Sequence, residues 1–260
     1  MLWNYLGYMN LKASQIFVLI FLSLFFQACA SKTNFKSLAQ TNSASQIEEY
    51  KVEILESLIN YKNKLDLRNP SAFNKDVKDD IINEITTNQD YIHIIQDGVK
   101  LETYEDYFYY AFSDKNINNR NDLLILGMYK LIFKAYAMER EHQFVSFSYN
   151  KEEMQNLHKY LQVIRWKIKT AKNEKGQYLF NTWQNNWQIE LEKKYVDDYN
   201  IINNLEYIKS EKESVYDYSN FSFEIVLSKI IIDVEHTLKK INVEPFEVGL
   251  STLKSFIFMI

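Results

Sequence analysis

Three of the four histidines in the chain follow an acid by three residues: Asp90/His93, Glu139/His142 and Asp233/His236. On a helix that spacing puts both side chains on one face. Glu-x-x-His is also the pattern by which four-helix bundles hold di-iron or di-manganese centres, given two such motifs and two more Glu, all facing inward. Helical phase separates the three pairs. Asp90 and His93 align with Thr86 and Asp97, and Asp233 and His236 align with Lys229 and Lys240, both polar faces. Only Glu139 and His142 line up with an apolar stripe, Met128, Ile132 and Ala135. They are the metal candidates, and one inward pair is half of a dinuclear site. The competing reading is an exposed acid–His pair, which stabilises a helix by about 0.2–0.5 kcal/mol.

Other chemistry has less support. The chain contains no Gly-x-Ser-x-Gly elbow and no Gly-rich phosphate loop, so neither acyl transfer nor nucleotide binding is indicated. No cofactor is expected. Asp79-Asp80 and Asp197-Asp198 read as solvated helix ends. Two aromatic groups could form contact surfaces. Trp183 and Trp187 stand one helical turn apart, with Tyr178 and Phe180 nearby, and would suit glycan stacking. Tyr104, Tyr107, Phe108 and Tyr110 belong to a dense patch that could receive a partner helix or peptide. Aromatic residues at helical spacing more often form core, because they carry much of the burial energy.

The elements that must position these residues read as helices. Five Gly and two Pro are too few for a fold that turns every few residues. Ser45 and Glu48 have capping-box form ahead of Ile47, Tyr50, Ile54, Leu58, Tyr61 and Leu65. Asn69-Pro70 closes that helix and opens the next, whose stripe is Val77, Ile81, Ile82 and Ile85. A third helical stretch spans Tyr91 to Phe112, with Gly98 as its interruption. Ser113 to Asn121 is the clearest loop. Asn121 or Asp122 should cap a helix running to about Gln143, and Asn150 with Glu153 should cap the next, to about Lys172. A turn at Asn173 to Gly176, a helix from Tyr178 to about Tyr195, a short apolar piece at Ile201 to Ile208, a long helix from Phe221 to Ile241 and a last one from Pro245 complete the reading. The expected fold is all-α, an irregular multi-helix bundle of eight to ten helices with no strand pair and no regular repeat.

The N-terminal region decides location. Ile16 to Phe26 is apolar except for Ser23, follows the lone charge Lys12, and ends at Ala28-Cys29. About 11 apolar residues are too few to span a bilayer but suit the h-region of a secretory signal. Met9 opens a more ordinary signal than Met1. The Ala-Cys end resembles the lipobox of bacterial lipoproteins. That resemblance covers only the first 30 or so residues and implies that Cys29 is acylated and becomes the first residue of the mature chain. Cys29 is the sole cysteine, so no disulfide within the molecule competes for it. Lipid chains would anchor the protein, each buried CH2 contributing about 0.8 kcal/mol. Ala30 and Ser31, rather than Asp, follow the Cys and favour the outer over the inner membrane. The domains expected are a signal at 1–28, an acylated tether at 29–44 and a helical domain at 45–260, with a possible subdivision at 113–121.

A formal charge of −4 and a pI near 5.7 disfavour nucleic acid, which needs clustered cations. The sequence therefore points to a lipid-anchored envelope domain with a protein partner, working by binding or assembly. The alternatives are a metal-dependent activity at Glu139/His142 and glycan binding at Trp183/Trp187.

Overall fold

The computed structural model describes residues 42–139, 149–182, 190–191, 193–194, 198–211 and 223–245. The fold is mostly helical. Six longer helices are α1 (42–68), α2 (Lys78–Thr87), α3 (Tyr104–Ala111), α4 (Arg120–Ala135), α5 (Lys151–Thr170) and α6 (Phe223–Lys240). A single turn, Glu206–Lys209, brings the number to seven among the described residues, below the eight to ten expected. None of these helices is long and apolar enough to cross a membrane.

Helix α4 is the hub. It is buried on every side, Lys134 alone among its residues being exposed. It packs against α2, α3 and α5, and α5 packs in turn against α6. The approach of α3 to α4 depends on Gly127. A Cβ there would stand 2.8 Å from Phe108 Cε1 and 3.0 Å from the Tyr107 Cβ. Helix α1 lies against α6 through a Lys229–Glu53 ion pair at 2.6 Å, the Tyr50–His236 rings and the edge-on pair Tyr61–Phe223. The apolar positions of α1 read from the sequence, Ile47, Ile54, Leu58, Tyr61 and Leu65, join Leu157, Leu161, Ile164 and Ile168 of α5 in one continuous core.

Several helix ends differ from expectation, each for a local reason. Helix α1 already runs at residue 42, so Ser45 lies inside it rather than capping it. Pro70 opens no helix. The chain turns there and re-enters through a 3-10 turn, Lys75–Val77, capped by Asn74. Helix α2 stops at Asn88, whose left-handed φ of 54° returns its N–H to the carbonyls of Glu84 and Ile85.

The stretch read as one helix from Tyr91 to Phe112 is half hairpin. Ile95–Gln96 (β1) pairs antiparallel with Val99–Lys100 (β2), which corrects the expectation of no strand pair. Asp97 and Gly98 connect them at φ 53° and 79°, the two positive angles of a type I′ turn. Helix α3 begins only at Tyr104, where Thr103 and Asp106 form a capping box.

Helix α4 starts at Arg120 and ends at Ala135, not near Gln143. Asn119 is its N-cap, without a side-chain bond, so neither Asn121 nor Asp122 caps it. Asn150 does cap α5, accepting from Glu152 and Glu153 amides at 3.0 and 3.4 Å. After the Asn173–Gly176 turn the chain is extended, Lys172 bridging Tyr178, where a helix was expected from Tyr178.

Candidate functional site

The aromatic patch on α3 is mostly core. Tyr107 and Phe108 are fully buried and Tyr104 nearly so. Tyr107 also acts as a clasp: its hydroxyl accepts from Ile94 N at 3.0 Å and donates to the Ile92 carbonyl at 3.3 Å, tying the hairpin to α3. Burial raises its phenol to about 12. Of the patch, Tyr110 is half-buried, and its edge-on neighbour Tyr109 is 64% exposed.

Of the three acid–His pairs, Asp233/His236 stays together on one helix, α6. Glu139 lies beyond the end of α4 and is exposed, so it has no helical face to share. His142 lies outside the described residues, as do Cys29, Trp183 and Trp187. Asp90 is not helical, and pairs with Lys130, while His93 Nδ1 lies 3.1 Å from the Leu101 carbonyl. Asp233, expected on a polar face with Lys229, is only 5% exposed, and its Oδ2 lies 3.6 Å from the Lys229 ammonium. The fourth histidine, His158, meets an acid across helices, its Nε2 lying 3.1 Å from Glu235 Oε1. Among the described residues no three His, Cys, Asp or Glu side chains gather as a metal centre would need.

The structure instead builds two buried polar clusters. The first joins α1 to the start of α4. Lys62, fully buried, donates to Asp66 at 3.0 Å and to Asp122 at 2.7 Å. Asp122 accepts the Asn74 amide with its other oxygen at 2.7 Å, and Asn121 Nδ2 donates to Asp66 at 3.0 Å. Burial pushes the Asp122 carboxyl up, and Lys62 pulls it down. The Lys62 ammonium also lies 5.5 Å from the Phe73 ring centre. Such a network is a weak source of stability, because desolvation offsets most of the attraction, but it holds its members in one geometry.

That network underlies a surface cleft of about 510 Å³. Three loops form the cleft: 68–72 after α1, 114–118 before α4, and the 173–181 turn after α5. Arg120 braces the second loop by donating to the carbonyls of Ala111, Ser113 and Lys115 at 2.6 to 2.7 Å. Asn69, itself buried, donates to the Leu65 carbonyl and accepts the Asn181 amide at 3.1 Å, joining the first loop to the third. Asn173 organises the third by accepting from the Lys175 and Gln177 amides. Nothing in the sequence pattern marked this cleft. Its lining comes from loop residues of three segments; the Asn69-Pro70 break, the Ser113–Asn121 loop and the Asn173–Gly176 turn are each legible, but not their meeting.

The second cluster surrounds Glu84 on α2. This carboxyl is fully buried. One oxygen accepts the Ile92 amide at 2.8 Å, and the other has no hydrogen bond. Burial, opposed by the Ile92 bond and by Lys130, raises it to about 7. Tyr129 closes the cluster from α4, its hydroxyl donating to the Gln89 carbonyl at 2.7 Å. The visible role of this carboxyl is to seat the hairpin, through its bond to the Ile92 amide.

No known family model matches the chain, and no curated protein or solved structure does.

Proposed function

We propose that this chain is a lipid-anchored protein of the bacterial cell envelope, an irregular helix bundle that works by binding or assembly rather than by catalysis. The observation that carries the reading is Ala28-Cys29 at the end of the apolar run, with Cys29 the sole cysteine of the chain. Export followed by acylation of Cys29 places the domain outside the cytoplasm, on the outer membrane in preference to the inner. The partner is an envelope protein rather than a nucleic acid, in keeping with the formal charge of −4. Exposed apolar side chains support a contact role: Tyr109 on α3, and Ile225 and Ile232 on α6 at 71% and 47% exposure.

Metabolic labelling with an alkyne fatty acid tests the anchor. The full-length protein should take up the label and partition with membranes, and Cys29→Ala should lose both properties. Labelling that survives Cys29→Ala would refute the anchor. A photo-crosslinker at Tyr109 tests the partner in intact cells. One reproducible envelope protein captured from that position is expected, and capture no different from a crosslinker at exposed Val99 would refute this contact.

A further inference from the structure

The cleft over the start of α4 is cationic although the chain as a whole is acidic. Arg68, Lys115, Arg120 and Lys175 line it against Asp114 and Glu174. Arg120 is committed to three carbonyls and acts as a brace. Lys115 and Lys175 stand on opposite loops, both exposed, and neither makes an ion pair among the described residues. They are the cations placed to meet a ligand's charge.

Asn173 and Gln177 bond to each other and hold their turn, and Asn116, Asn118 and Asn181 add carboxamides to the lining. Each carboxamide offers donors and an acceptor in one plane. Neighbouring hydroxyls of a sugar present the same mixture. The two acids add acceptors for further hydroxyls, and they oppose a ligand of high negative charge. Tyr178 also lines the cleft, with the Lys172 ammonium 4.5 Å from its ring centre. The volume, about 510 Å³, lies within the usual range for small-ligand sites. The Asn69–Asn181 bond, the Arg120 brace and the Asn173 turn tie the three loops in place, and such ties limit the ordering that binding requires.

We propose that this cleft is a binding site for an acidic saccharide, in which Lys115 and Lys175 hold one carboxylate and the carboxamides hold the ring hydroxyls. The assignment stands on the cleft alone and does not require the lipid anchor.

Calorimetric titration of the full-length protein in mild detergent tests it, with three probes: glucuronate, glucose and inorganic phosphate. Glucuronate should bind saturably, and both glucose and phosphate at least tenfold more weakly. The Lys115→Ala/Lys175→Ala double variant should weaken glucuronate at least tenfold with an unchanged thermal midpoint, since both side chains are exposed. Asn116→Ala should weaken glucuronate and glucose alike. Glucose binding as tightly as glucuronate would remove the role of the lysines. Phosphate binding more tightly would make this a plain anion site. Absence of saturable glucuronate binding, or full affinity in the double variant, would overturn the proposal.

Discussion

Replacing Glu84 with Gln should remove much of the protein's pH dependence of stability between pH 4.5 and 7. The Glu84 carboxyl rises from an ordinary value of 4.5 to about 7 because it is buried with one oxygen unpaired. Between those two values the folded state holds a proton that the unfolded chain has lost. Stability therefore falls as pH rises through that window, and is greatest below it. The shift of about 2.5 pH units corresponds to about 3 kcal/mol. For a chain of this size that is about 6–12 °C in the thermal midpoint. Gln is a fair mimic of the protonated acid. Its carbonyl can still accept the Ile92 amide, and its NH2 stands where the acid's O–H stood, at an oxygen without a partner. The two proteins should thus agree within about 1 kcal/mol at pH 4.5. At pH 7.5 the variant should be the more stable by most of the 3 kcal/mol. The groups facing Glu84 are Lys130, Asp90, Tyr107 and Tyr129, and all remain in the variant. The assay is urea unfolding followed by circular dichroism across pH 4.5 to 8. Parallel stability curves for the two proteins would show that Glu84 is ionised throughout, and the reasoning would fail.

Lys62→Met should destabilise the fold by about 3–5 kcal/mol at pH 8, because it leaves Asp66 and Asp122 buried without their cation. The loss should shrink at pH 5, because burial already pushes the Asp122 carboxyl up and removing Lys62 takes away what pulls it down; urea titrations at both pH values would show it, and equal losses would contradict it. Gly127→Ala should destabilise by about 1–3 kcal/mol although Ala is the better helix former, since the new methyl meets Phe108 at 2.8 Å. A thermal midpoint at or above that of the parent would mean that α3 yields freely.

The apolar stripe of α1 could be read from the sequence because that helix buries one face and exposes the other, so the period of 3.6 shows. Helix α4 is buried all round, and its polar residues therefore misled. Asn121 and Asp122 look like caps at the edge of a loop, yet they sit in the first turn and bond to α1 across more than 50 residues of chain. The hairpin was hidden by the apolar residues around it. Its Asp97-Gly98 pair is a known I′ signal, but two-residue strands carry no alternation to read. Spacing and helical phase with Met128, Ile132 and Ala135 suggested Glu139 and His142, and the early end of α4 removes the helical face that both assumed. The cleft had no sequence signal, since its residues become neighbours only through Asn69, Arg120 and Asn181.

The buried network and the cleft are parts of one arrangement. Lys62, Asp66, Asn121 and Asp122 fix the end of α1 against the start of α4, and the two loops that leave those ends form two walls of the cleft. An apolar interface of equal volume would hold the helices together as strongly, but helices can slide on apolar contacts by fractions of a turn. A charge network admits one register, because any other leaves a charge without its partner. Here Asp122 divides its two oxygens between Lys62 on α1 and the Asn74 amide on the connecting loop. The helix register and the loop path are thereby set by the same side chain. The Asn121 amide adds a second tie to that loop, donating to the Ala72 carbonyl at 2.8 Å. The Lys62→Met experiment is then informative in a second way. Where the variant still folds, glucuronate affinity should fall along with stability, although Lys62 is fully buried and does not line the cleft. Unchanged affinity in a folded Lys62→Met protein would show that the loops hold their positions without the network.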